Sequence, residues 1–250
     1  MRAGMKAREL VLLHGWGAGA GIWRELAQRL APRFRIHALD LPGYGAQPDC
    51  HPYTLDALAD RIARLAPRRC GVIGWSLGGQ VALAWARGAR RQVERAAVIA
   101  TTPCFTRRPG WPHGIERGVF DGFARALKQD PAALLDRFSL LQARGDKEAR
   151  RVAMRLRAES AARGSPDRGV LERGLDILLD TDLRAGLAAV KQPVLALHGA
   201  RDSVVPAAAG RRLAAALPHA RFQLVRGCAH APFLSQPARI AKALQAFFDE

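Results

Sequence analysis

Six short apolar, β-branched runs recur along the chain, at Leu10–His14, Ile36–Leu41, Gly71–Trp75, Ala97–Thr101, Val194–His198 and Phe222–Val225. Between them, apolar residues at helical spacing predict helices near Trp23–Leu30, Leu55–Leu65, Gly78–Arg87, Ala207–Ala216 and Ala238–Phe248. Such alternation implies a mostly parallel central sheet with helices on both faces, the α/β class. Residues 104–185 break the rhythm. They hold no convincing strand, open with the loop-like Thr106-Arg-Arg-Pro-Gly-Trp-Pro-His-Gly114, and then follow helical patterns. The expectation is a core built from residues 1–103 and 186–250, with residues 104–185 inserted as a helical cap.

Composition narrows the class of molecule. A chain of 250 residues buries roughly 70–75% of its unfolded surface, so its core needs neither disulfides nor metal. Cys50, Cys70, Cys104 and Cys228 lie far apart with no Cys-x-x-Cys pair, the pattern of reduced thiols in a cytoplasmic protein. No run approaches the ~18 apolar residues of a membrane span. The basic N-terminus passes through a brief apolar stretch into His14-Gly15-Trp16-Gly17, which fits a strand and not a signal peptide. Scattered histidines without a His-Glu-x-x-His imply no metal, and nothing calls for a cofactor.

The net charge of +17 raises the question of nucleic acid. The basic excess is spread along the whole chain, however, without a basic arm, a helix-turn-helix or an aromatic-basic face, so nucleic-acid binding is not expected. One local pattern is sharper. Helical spacing puts Arg144, Lys147, Arg151 and Arg155 on one stripe, with Ala149, Val152, Ala153 and Leu156 on the other side. That stripe is either a solvated face or a docking surface for something acidic.

The candidate chemistry centres on Gly74-Trp75-Ser76-Leu77-Gly78. A strand before it and a helix after it set Ser76 on a tight turn, where side chains at the glycine positions would collide and the serine Oγ is lifted clear of the sheet. A serine hydroxyl needs a base, and the base needs an orienting acid. Asp202 follows the strand at Val194–His198, and His230 follows Phe222–Val225. Ser, Asp and His thus stand in the required order, each just after a strand. Asp182 is the rival acid. The backbone amides of Leu77 and Trp16 are the candidate oxyanion donors. His14 and Asp40 are read as loop-holding residues, and His198 as structural.

With these residues placed, the chain resembles the α/β-hydrolase superfamily over essentially its full length. Within that superfamily it is similar to the pimeloyl-[acyl-carrier protein] methyl ester esterases of biotin synthesis. The resemblance is carried by Leu-Leu-His-Gly-Trp-Gly (12–17), Asp-Leu-Pro-Gly-Tyr-Gly (40–45), Gly-Trp-Ser-Leu-Gly-Gly (74–79), Thr-Pro-Cys-Phe (102–105), Trp111-Pro112 and Ala-His-Ala-Pro-Phe-Leu-Ser (229–235). It implies an α/β-hydrolase fold, a serine esterase acting on a carrier-bound methyl ester, and a cytoplasmic monomer. Implied substrate contacts are Trp16, Ser76, Leu77, His230 and the cap segment Phe138, Ser139, Leu140, Leu141 and Gln142, where Ser139 departs from the family's Phe-Leu-x-Leu-Gln pattern. The implied partner is an acidic acyl-carrier protein, met by Arg137 and the Arg144, Lys147, Arg151, Arg155 stripe. A general short-chain carboxylesterase shares every catalytic residue, and a hydrolase-fold ligand receptor is the non-enzymatic alternative.

Overall fold

The computed structural model describes residues 8–89, 91–162 and 167–250; the N-terminal residues 1–7 lie outside them. Six strands form one sheet: β1 (Arg8–Leu13), β2 (Phe34–Leu39), β3 (Cys70–Trp75), β4 (Val93–Ile99), β5 (Val194–Gly199) and β6 (Ala220–Val225). They pair in the order β2-β1-β3-β4-β5-β6, every pair parallel. Each expected strand is present, with ends shifted by up to four residues.

Alternation within the strands divides the core into two layers. From β1, Val11 and Leu13 enter the layer covered by α2 (Leu55–Leu65), α3 (Leu77–Gly88) and α8 (Ala207–Ala216). Leu10 and Leu12 enter the opposite layer, under α1 (Arg24–Leu30) and α10 (Pro237–Asp249). Local chemistry starts these helices: Thr54 Oγ1 accepts from Ala57 N–H ahead of α2, and Pro237 opens α10. The strand order reverses between β1 and β3, since the chain leaves β1 to one side for β2 and returns on the other. Loops beyond the carboxyl ends of two such strands part and leave a crevice, where ligands of open α/β sheets bind.

Among the described residues between β4 and β5 stand four α-helices, α4 (Arg117–Gln129), α5 (Pro131–Ala143), α6 (Ala149–Ala162) and α7 (Arg168–Asp180), followed by a 3-10 turn at Arg184–Ala189. The side chains of Asp130 and Asp167 cap α5 and α7. Phe120, Leu127, Leu134, Leu135 and Val170 pack into the α2–α3 layer. From α6, Val152, Ala153 and Leu156 join the other layer, the apolar face expected of them. The basic stripe needs correcting. The chain from 144 to 157 is not one helix, because Gly145 adopts φ +84 and α6 begins only at Ala149. Arg144 and Lys147 therefore sit in the connecting turn, out of register with Arg151 and Arg155.

Candidate active site

The turn from β3 to α3 carries Ser76 with φ 55 and ψ −117, a conformation costly for a residue with a Cβ. Neighbours hold it there. Ser76 N–H donates to Ile99 O at 2.9 Å, and Thr101 Oγ1 donates to Ser76 O at 3.2 Å. Close approach explains the second glycine of the motif: a Cβ on Gly78 would stand 2.4 Å from both the Leu13 and His14 carbonyl oxygens. The loop after β1 lies against the turn as well, since a Cβ on Gly15 would come 3.2 Å from Ser76 Cβ.

His230 and Asp202 meet as expected. His230 Nδ1 donates to Asp202 Oδ2 at 2.8 Å, with their side chains 1% and 0% exposed. Asp202 Oδ1 accepts from Val204 N–H at 2.8 Å and Val205 N–H at 2.9 Å, so the carboxylate is oriented by its own loop. The histidine is tied to the serine turn through Trp75, whose Nε1 donates to the His230 carbonyl at 2.9 Å. The rings of Trp75 and His230 lie 5.5 Å apart. Asp182 belongs elsewhere: Arg184 grips it through Nε and Nη2, which lowers its pKa.

Among the described residues, the backbone N–H groups of Trp16 and Leu77 donate to no protein acceptor. Their loop is braced by His14, whose Nδ1 is 2.8 Å from Gly15 O while Nε2 accepts from Leu41 N–H at 3.0 Å. A ring that donates at one nitrogen and accepts at the other is neutral. Asp40 Oδ1 accepts from Ala20 N–H at 2.7 Å, the loop-holding role expected. Tyr44 was not singled out, yet its hydroxyl accepts from Gly17 N–H at 3.3 Å; the Gly-Tyr-Gly stretch was the available signal. His198 is wholly buried, and burial drives its pKa down to about 4 against the pull of the Asp202 carboxylate and the Thr101 backbone.

The cap segment divides by helical geometry. Phe138 meets Trp16 edge-on at 5.5 Å and Phe123 at 5.7 Å, and Trp16 is fixed by donating from Nε1 to Leu171 O at 2.9 Å. Ser139 is buried, with its hydroxyl on Leu135 O at 2.9 Å. Gln142 is buried with its Oε1 unpartnered among the described residues, and Leu141 packs against the core partly buried. Leu140 is 48% exposed on the outer face of α5. Five successive helical residues point all round the axis, so the segment does not present a single wall.

Two of the stripe cations, both exposed, are tied to other elements of the chain. Arg151 Nη2 donates to the Leu234 and Ser235 carbonyls at 2.7 Å each, and Arg155 pairs with Glu25 on α1 at 3.3 Å. Arg137, Arg144 and Lys147 are exposed. No group of three or more His, Cys, Asp or Glu among the described residues is placed to hold a metal, and no described helix is long and apolar enough to cross a membrane.

A parallel sheet with a strained strand-to-helix serine and a buried histidine–carboxylate pair at its carboxyl edge defines a hydrolase of the α/β-hydrolase fold. Comparison with known proteins agrees: residues 10–243 match the alpha/beta hydrolase family. An esterase from Exiguobacterium antarcticum superposes with a TM-score of 0.89 at 23% identity, over 98% of this chain and 93% of that one, a likeness of fold. Sequence relatives are nearer. The pimeloyl-[acyl-carrier protein] methyl ester esterase of Nitrosomonas europaea is 43% identical over 95% of this chain and 94% of its own length. The protein of the same name from Aromatoleum aromaticum is 42% identical over 96% and 98%. The chain belongs to the α/β hydrolase family, in the branch of the pimeloyl-[acyl-carrier protein] methyl ester esterases.

Proposed function

We propose that this protein hydrolyses the methyl ester of a pimeloyl chain carried on acyl-carrier protein, releasing methanol and the carrier-bound acid for biotin synthesis. The observation that carries the reading is the buried His230–Asp202 pair held beside the Ser76 turn, in a chain 43% identical to an esterase of that name. Ser76 Oγ attacks the ester carbonyl while His230 Nε2 takes its proton, and Asp202 stabilises the resulting imidazolium. The N–H groups of Trp16 and Leu77 receive the oxyanion; one such donor is typically worth about 3 kcal/mol of barrier. His230 then protonates the departing methoxide, and water, activated by the same imidazole, frees the acid from Ser76.

Selectivity follows from depth. The acyl chain joins a thioester to the carrier at one end and the methyl ester at the other, so a useful enzyme cuts only the distal carbonyl. A narrow apolar passage under the α4–α5 side, walled by Trp16 and Phe138, delivers that end to Ser76 while the carrier rests outside on the cap. Residues 104–185 act as that cap. Exposed Arg137, Arg144 and Lys147 are the docking cations, whereas Arg151 and Arg155 serve first as internal ties. The test is genetic. The wild-type protein restores biotin-independent growth to a bacterial strain lacking its own such esterase, and Ser76→Ala does not; failure of the wild type, expressed and soluble, points to a general carboxylesterase.

A further inference from the structure

The end of α5 and the turn that follows it are bonded to both loops that carry the acid and the histidine. Arg201 Nη1 donates to Gly145 O at 3.1 Å and Ser203 Oγ to Leu141 O at 3.3 Å, one on each side of Asp202. Lys147 N–H donates to Gly227 O at 2.9 Å, and His230 N–H to Gln142 O at 3.1 Å. At the centre lies Asp146, only 7% exposed. Its Oδ2 accepts from Ala229 N–H at 2.7 Å. Its Oδ1 accepts from the Ser235 hydroxyl at 2.6 Å and from Glu148 N–H at 2.8 Å.

A carboxylate this deep is costly unless donors meet its charge. Here three do: one from Ala229 in the loop that carries His230, one from Ser235 in the short helix just after it, and one from Glu148. Among the described residues Asp146 has no cationic partner. We propose that Asp146 is a positioning residue for His230, holding from the α5–α6 side the Cys228–Ala229 peptide, one residue ahead of the histidine.

The physical case is a matter of what replaces the bond. Ala229 is wholly buried, so without Asp146 its N–H is a buried donor with no partner, and the peptide turns to find one. His230 is the next residue; its N–H on Gln142 O, its carbonyl on Trp75 Nε1 and the bond from Arg201 N–H to Cys228 O confine the shift, so the ring is displaced slightly, not released. Asp202 does not follow, because its own loop holds it through Val204 and Val205. The histidine is therefore shifted relative to its acid and its serine. A misplacement of about 1 Å in such a site costs on the order of a hundredfold in rate. The proposal rests on the reading of Ser76, Asp202 and His230 as the working trio.

The test is steady-state hydrolysis of p-nitrophenyl butyrate by wild type, Asp146→Ala, Asp146→Asn and Ser235→Ala, with intact sites counted by titration with a fluorophosphonate. Asp146→Ala is expected to lower kcat per titrated site by roughly ten- to a hundredfold with KM little changed, and to slow phosphonylation in parallel. Asp146→Asn, which keeps one acceptor oxygen, falls between, and Ser235→Ala, which keeps the bond to Ala229, stays near wild type. A merely structural role lowers the number of titrated sites and leaves the rate per site alone. A rate per site for Asp146→Ala within about twofold of wild type overturns the proposal; should that variant not fold, the same result for Asp146→Asn does so. Turnover retained by Ser76→Ala is a different failure, that of the underlying trio.

Discussion

His198 makes the stability of this protein depend on pH in a way that one substitution removes. The side chain, next to last in β5, has no exposed surface and, among the described residues, no partner of normal hydrogen-bond geometry at either ring nitrogen, and it is stacked on Phe222. Its pKa falls from an ordinary 6.5 to about 4, chiefly through burial. The unfolded chain then binds a proton that the folded chain refuses. Folding stability is complete above pH 6.5, declines as pH falls below that value, and stops declining once pH passes below 4. The linkage relation puts the loss at about 2 kcal/mol between pH 7.5 and pH 5, rising to about 3 kcal/mol below pH 4. His198→Leu, close in volume and unable to titrate, lacks this contribution. Urea unfolding of both proteins at pH 7.5 and pH 5 should show wild type losing about 2 kcal/mol more than the variant. Equal losses would mean that His198 is solvated or charged in the folded state, and would refute the reasoning.

Other consequences are as direct. Gly78→Ala forces a methyl group against two backbone carbonyls of the β1 loop, and chemical denaturation should register a loss of about 3 kcal/mol, the upper end of overpacking costs. Asp202→Asn should cost several orders of magnitude in kcat on p-nitrophenyl butyrate, while Asp182→Asn, remote in function, should leave kcat unchanged; a mild effect of the first would unseat the acid. Charge reversal at Arg137 and Arg144 should raise KM for a carrier-bound ester and spare a small soluble one. Arg151→Ala should lower thermal stability instead, by about 1–3 kcal/mol for the charged bonds to the Leu234 and Ser235 carbonyls, and equal rates on both substrates relative to wild type would separate it from docking.

The parts legible in the sequence are those set by local sterics and periodicity. The serine turn was readable because only glycine tolerates the carbonyls that crowd positions such as 78, and the six strands because buried parallel strands are almost wholly apolar. The order Ser76, Asp202, His230 followed from strand ends alone. Long-range bonding was not readable. Helical spacing placed Arg144 to Arg155 on one stripe, but periodicity does not register a reversal such as that at Gly145, nor that Arg151 closes a turn more than eighty residues away. The short helix α9 (Pro232–Ser235) was missed although Pro232 marks its start. Asp146 carried no signal at all, since what makes it matter is its bonds to Ala229 and to Ser235 at the end of α9, more than eighty residues away.

In the proposed reaction the distal ester, and not the thioester, is brought to Ser76. Intact-mass spectrometry of carrier protein loaded with a pimeloyl methyl ester, before and after incubation with the enzyme, decides it. Hydrolysis of the distal ester leaves a carrier lighter by one methylene with its acyl chain still attached, and Ser76→Ala leaves the mass unchanged. Recovery of the bare phosphopantetheinyl carrier, its acyl chain released at the thioester, would contradict it.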